Sequence, residues 1–117
     1  MKIFIDDERF PPDDGENWII YRNMEQFQKW ILAGNIPTFI SFDHDLGDNV
    51  PTGMDIAKWL IEYDLDYDIL PMDFSWYVHS QNVNGRDNIN GLLANYSKVT
   101  GKFVCTPENI RYIINNT

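Results

Sequence analysis

Apolar residues cluster in four short runs, and three of these runs stop abruptly at polar chemistry. Lys2-Ile3-Phe4-Ile5 is followed at once by Asp6-Asp7-Glu8-Arg9, and Phe39-Ile40-Ser41-Phe42 by Asp43-His44-Asp45. Phe74 to Val78 runs into His79-Ser80-Gln81-Asn82. Runs of this length bounded by turn residues read as buried strands. The fourth run, Trp18 to Tyr21, follows a turn-rich loop from Pro11 to Asn17 and reads as a further short strand.

Between the runs the period changes to that of a helix. Asn23, with Gln26 three places on, predicts a capping box, and Met24, Phe27, Trp30 and Ile31 then share one face, with Gly34 as the stop. A loop through Pro51-Thr52-Gly53 leads to a second helix over about Met54 to Tyr63. Trp30 and Trp59 read as core residues of these helices, while Gly47 and Gly53 read as servants of loop geometry. After Gly85-Arg86, the residues Ile89, Leu92, Leu93 and Tyr96 mark a third helix. Lys102 to Cys105 predicts a last strand; Thr106 as N-cap, Pro107 in the first turn, and Ile110, Ile113 and Ile114 predict a terminal helix.

Strands alternating with helices of this length imply βα units, hence an α/β fold with a mainly parallel sheet and helices on both faces. No linker or repeat interrupts the alternation, so residues 1–117 read as one domain. The acidic stretch Asp64-Leu65-Asp66-Tyr67-Asp68 places Asp at alternate positions, yet it lacks the central Gly and terminal Glu of a calcium loop. It reads as a solvated loop.

Composition narrows the function classes. A hydrophobic content of 44% with 15% aromatics is that of a globular chain. A net charge of −9 argues against a broad electrostatic grip on nucleic acid, leaving a small phosphorylated ligand or a single RNA end. The single Cys105 excludes an internal disulfide and thiolate zinc spacings. Nothing reads as a signal peptide or a membrane span, so a cytoplasmic location is expected.

The strand ends carry the candidate chemistry, because open parallel sheets bind ligands beyond the carboxyl ends of their strands. If the first and third strands are neighbours, Asp6, Asp7, Asp43 and Asp45 converge, and ionised carboxylates held together call for a cation such as Mg²⁺, Mn²⁺ or Ca²⁺. The competing reading is that acidic residues simply terminate strands and solvate loops.

Three strings carry a family resemblance: Asp-Asp-Glu-Arg-x-Pro-Pro at 6–12, Asp-His-Asp-Leu-Gly at 43–47 and His-Ser-x-Asn at 79–82. The acidic pair after the first strand, the Asp after the third and the hydroxyl after the fourth resemble a response-regulator receiver, a flavodoxin-like fold of strand order 2-1-3-4-5. The three strings together are more similar to the receiver-derived family called the cyclic-phosphate processing receiver domain, and to phage proteins described as modifiers of suppressor transfer RNAs. The resemblance implies Asp6 and Asp7 as ligands of a divalent metal, Asp43 at the receiver's acceptor position and Ser80 near its Ser/Thr position. It also implies a metal-assisted site for cyclic or terminal phosphates of nucleotides or RNA ends, with Mg²⁺ or Mn²⁺ as cofactor, in a host cytoplasm if the chain is phage-encoded. One departure counts against phosphoaspartate signalling, since Lys102 precedes the candidate fifth strand instead of following it.

Opening a cyclic phosphodiester needs an attacking water, charge neutralisation and a proton for the leaving oxygen. A cation on Asp6, Asp7 and Asp43, with Asp45, supplies the first two. His44 and His79 are the candidate base and acid, and Arg9 and Arg86 the candidate phosphate contacts, with Ser80 and Asn82 orienting the substrate. Duller readings remain open for each. His44, turned away by strand alternation, and His79 would be structural; Arg86 would pair with Asp87, and Arg9 would brace Asp7 or Glu8. A receiver-like module that binds and modulates a protein partner is the alternative function, with oligomeric state undetermined by sequence.

Overall fold

The computed structural model describes residues 1–103. Four strands, β1 (Lys2–Ile5), β2 (Trp18–Tyr21), β3 (Phe39–Phe42) and β4 (Ser75–Val78), pair in parallel in the order β2-β1-β3-β4. This is the order expected for the first four strands of a receiver; the predicted terminal helix lies outside the described residues, as do Val104 and Cys105 of the predicted fifth strand, whose Lys102 and Phe103 are not in a strand. In register, Ile5 sits opposite Phe42, and Phe42 opposite Val78. The residues that follow these three strands therefore emerge side by side.

Three helices join the strands: α1 (Met24–Leu32), α2 (Gly53–Tyr67) and α3 (Val83–Thr100). Asn23 caps α1 by accepting from the Gln26 N–H at 2.9 Å, while the Gln26 side chain reaches back to the Arg22 N–H instead of to Asn23. Gly34 at φ +98° ends the helix, a conformation that glycine adopts without steric cost. At α2 the capping box is reciprocal between Thr52 and Asp55. Gly53 is required there for space: a Cβ would stand 1.9 Å from the Asp43 carbonyl oxygen. That close approach lets the Gly53 N–H donate to the His44 carbonyl at 2.8 Å and pins the start of α2 to the end of β3.

Ile3, Ile5, Ile40, Phe42, Trp76 and Val78 share one face of the sheet and form one core with Phe27, Ile31, Ile56, Leu60, Ile89 and Leu93 from the helices. Trp30 and Trp59 pack against its margin. Trp76, itself 1% exposed, donates its indole N–H to the buried Asn90 of α3 at 2.9 Å, so the largest core side chain leaves no unsatisfied polar atom. The opposite face carries Phe4, Trp18, Phe39, Ser41, Tyr77 and His79. Among the described residues it is overlaid by the Asp6–Asn17 segment and by no helix. Among the described residues the loop between β1 and β2 is what lies on this face.

The stretch expected as a solvated loop is mostly the last turn of α2. Asp64 is buried and accepts from the Leu70 N–H at 2.7 Å, the Tyr96 hydroxyl at 2.6 Å and the Lys102 ammonium at 3.0 Å. Lys102 also pairs with Asp68, whose left-handed backbone closes the helix. Alternating Asp residues hid this, because only one of them points inward. No helix among the described residues is long and apolar enough to cross a membrane.

Burial alone would raise the Asp64 pKa, but the donors from Tyr96, Leu70 and Lys102 outweigh it and hold the carboxyl below its ordinary value. A depressed folded pKa gives stability that is complete above the unfolded carboxylate value and is lost as pH falls through the folded one. Asp64→Asn is expected to destabilise the chain by about 3 kcal/mol at neutral pH, as for a broken buried ion pair. In urea denaturation the gap between variant and wild type should narrow on acidification, and a gap independent of pH contradicts this assignment.

Candidate metal and phosphate site

Asp6 is the fixed point of the strand ends. Its side chain has no solvent exposure, and each of its two oxygens meets two donors. Oδ1 accepts from the backbone N–H groups of Glu8 at 3.0 Å and Arg9 at 2.8 Å, which folds the chain sharply back after β1. Oδ2 faces His79 Nε2 at 3.0 Å and Arg9 Nε at 3.1 Å. Burial acts to raise the Asp6 pKa, but these hydrogen bonds and the neighbouring imidazole lower it overall, so Asp6 is ionised.

His79 is held on both sides. Since an ionised carboxylate only accepts, Nε2 carries the proton toward Asp6, and Nδ1 then accepts from the Ser41 hydroxyl at 2.7 Å. The ring stacks on Phe4 with centroids 4.4 Å apart and planes 6° from parallel. Desolvation lowers the His79 pKa below its usual 6.5 despite the acidic neighbours, which keeps the ring neutral at pH 7. Ser41 can donate or accept, so it supports either tautomer of the imidazole.

Asp43, beside Asp6 at the end of β3, is the strained partner. It accepts from the His44 N–H at 2.9 Å, and its nearest cation is Arg9, at 3.8 Å. Burial, reinforced by the charge of Asp6, raises its pKa. Donor atoms of Asp6, Asp43 and His79 lie within 4.8 Å of one another. Two carboxylates and an imidazole, with one carboxylate left short of positive charge, fit an oxygen-rich divalent site for Mg²⁺ or Mn²⁺.

A pocket opens beside this cluster, which reaches it through Asp43; its other walls include Asp7, Glu8, Arg9, Asp45, Ser80 and Asn82. Asp7 and Asp45 therefore stand at the pocket, as their positions after the strands suggested, while the tight three-residue cluster takes His79 in their stead. Beyond Phe42 strand alternation ends, and His44 turns onto Asp45, with Nδ1 2.9 Å from Oδ1. Asn82 donates to the other Asp45 oxygen at 3.2 Å and caps α3 by accepting from the Gly85 N–H at 3.0 Å. The His44 and Asn82 hydrogen bonds lower the Asp45 pKa. Ser80 is buried and accepts from the Asn82 N–H at 3.1 Å, shaping the turn into α3. Gly85 gives His44 its space, since a Cβ there would come within 2.3 Å of the ring.

Arg86 is placed differently from its sequence expectation. Its Nε lies 4.0 Å from Asp87, outside the pocket walls, and makes no hydrogen bond among the described residues. Arg9 instead spans Asp6 and Asp43. Arg22 escaped the sequence reading altogether: its guanidinium donates to the backbone carbonyls of Asp6 at 3.0 Å and Arg9 at 2.6 Å and holds the loop that aims Arg9. Ser41 left a detectable signal, because a hydroxyl inside an apolar strand needs a buried partner. Lys102, tied to Asp64, supplies no cation to Asp43.

The raised pKa of Asp43 sets a testable cost. A carboxyl whose folded pKa lies above the unfolded one binds the proton better when folded, so folding loses stability as pH rises through that interval. In metal-free protein Asp43→Asn is expected to raise stability at pH 7 by about 1 kcal/mol, with the gain vanishing near pH 3, where the wild-type carboxyl is protonated as well. Chemical denaturation in the presence of a chelator reads this, and a destabilised variant at pH 7 contradicts it.

No curated protein and no solved structure matches the chain. The family model of the cyclic-phosphate processing receiver domain matches residues 1–95, which include all four strands and every candidate residue of the site. The chain belongs to the cyclic-phosphate processing receiver domain family.

Proposed function

We propose that this chain is a metal-assisted phosphoesterase acting on a cyclic or terminal phosphate of a nucleotide or RNA end. The observation that carries the reading is the cluster of Asp6, Asp43 and His79, whose donor atoms lie within 4.8 Å of one another and whose Asp43 lines a polar pocket. A structural ion pair would not leave Asp43 with a raised pKa and a distant cation. A bound Mg²⁺ or Mn²⁺ would neutralise phosphoryl oxygens and lower the pKa of a water. Asp6, Asp43 and His79 would hold the ion, with Asp7 available at the pocket wall.

The chain's own groups divide the remaining work. Arg9, on a loop clamped by Arg22, meets phosphoryl oxygens as a planar cation. Asp45, oriented by His44 and Asn82, accepts a hydrogen bond from the attacking water. With Nδ1–H turned to Asp45, the second ring nitrogen of His44 is the basic one and exchanges protons with the pocket through solvent. In the hydrolysis, the water oxygen bonds to phosphorus and the bond to one ribose oxygen breaks. The water proton leaves with the base, and the freed ribose oxygen takes up a proton. Net acidity disfavours long RNA, so the reading favours small cyclic nucleotides or the final residue of an RNA.

The test is hydrolysis of 2′,3′-cyclic nucleotides and cyclic-phosphate-ended RNA with Mg²⁺ or Mn²⁺. Asp43→Asn is expected to abolish metal-dependent turnover. His44→Ala should lower kcat by roughly a hundredfold with unchanged metal dependence, whereas His79→Ala should also raise the metal concentration required. Full activity in Asp43→Asn contradicts the site. No turnover by wild type across the panel favours the non-catalytic module that binds a protein partner.

A further inference from the structure

The second face of the sheet holds chemistry that phosphate handling at the strand ends does not use. Phe4, Trp18, Phe39 and Tyr77 project from all four strands into a pocket of about 450 Å³, within the range of about 300–1,000 Å³ typical of small-molecule sites. Tyr77 is 44% exposed, and Phe10, at the rim on the overlying loop, is 76% exposed. Phe4 is buried against His79, so the accessible ring area is that of its neighbours; no helix among the described residues lies over it, and such area is costly unless something covers it.

The rings are set as a rigid platform. Trp18 meets both Phe4 and Phe39 edge to face, with centroids 5.9 and 5.8 Å apart, and its indole N–H is held by Asp14 at 3.1 Å. Lys2 places its ammonium 4.9 Å from the Trp18 ring and 5.3 Å from that of Phe39. The pocket thus combines π surfaces with a cation at one end. At the other end stand Arg9 and His79, and both also belong to the strand-end site: Arg9 lines both pockets, and His79 bonds Asp6 while its ring walls the aromatic side.

We propose that this aromatic pocket is the nucleobase subsite for a mononucleotide whose phosphate occupies the strand-end pocket. The proposal rests on the phosphoesterase reading for the phosphate half alone. Flat π surfaces accept any base by stacking, and cations suit the carbonyl edges of bases and the negative charge of the ligand. Arg9, which lines both pockets, makes them neighbours, so that base and phosphate would stand on either side of its side chain with the ribose passing between. A long polynucleotide is disfavoured by the charge of −9, so the occupant is the base of a small nucleotide.

Binding to the full chain tests this with three probes: adenosine, ribose 5-phosphate, and 2′,3′-cyclic AMP. Side-chain resonances of Trp18 and Tyr77 provide the readout. Adenosine alone is expected to shift both, and Tyr77→Ala should weaken cyclic AMP binding roughly tenfold while leaving ribose 5-phosphate affinity unchanged. Phe10→Ala, a second exposed site, should act in the same direction. Equal affinity for base-free and base-containing phosphates, unaffected by either variant, overturns the subsite even if cyclic phosphates are hydrolysed. Adenosine shifts in a protein that hydrolyses no cyclic phosphate uphold the subsite and remove the phosphoesterase reading instead.

Discussion

Two carboxylates at the ends of adjacent parallel strands set the constraint around which this protein is arranged. The pairing of Ile5 with Phe42 makes Asp6 and Asp43 neighbours as soon as β1 and β3 pair. Both are buried, and at close range two ionised carboxylates repel. The fold resolves the conflict unequally. Asp6 receives two backbone N–H groups, an imidazole N–H and a guanidinium, and stays charged. Asp43 receives one backbone N–H and a distant edge of Arg9, and its charged form is disfavoured. Much local structure follows from that division: the sharp turn after β1, the Arg22 clamp and the orientation of His79.

Apolar residues at the strands and helical periodicity made the fold legible, because each strand is a short buried run and each helix shows one apolar face. The four-strand order could be anticipated from the three motif strings and their family. Less visible was anything that depended on a single side chain turning inward. Asp64 looked like its exposed neighbours Asp66 and Asp68, yet helix geometry buries it alone, against Tyr96 and Lys102. The docking of the β1–β2 loop on the second sheet face was not readable either, since a Pro-rich segment declares that it is no helix without declaring what it covers.

At the site, sequence position put the carboxylates and both histidines at the strand ends but did not give their partnerships. Asp-His-Asp suggested one cluster, whereas the structure splits it: Asp43 joins Asp6 and His79, and His44 joins Asp45 and Asn82. Residues past a strand end no longer alternate, so their directions are set by the next helix, here through Gly53 and Gly85. Spacing could not reveal that Arg9 rather than Arg86 would meet the carboxylates, because the choice depends on a loop folded onto Asp6. The two pockets that result share Arg9, and the imidazole of His79 joins the aromatic surface of Phe4 to the charged Asp6.

What the strand-end site does depends on whether the strained carboxylate pair is kept for a cation. Titration of the full chain with Mn²⁺, read by paramagnetic broadening of backbone and imidazole resonances, addresses that directly. Saturable broadening centred on Asp6, Asp43 and His79, with the Asp64 network untouched, is the predicted result. Absence of saturable broadening at the strand ends, or broadening centred on Asp64 and Asp68 instead, would contradict it.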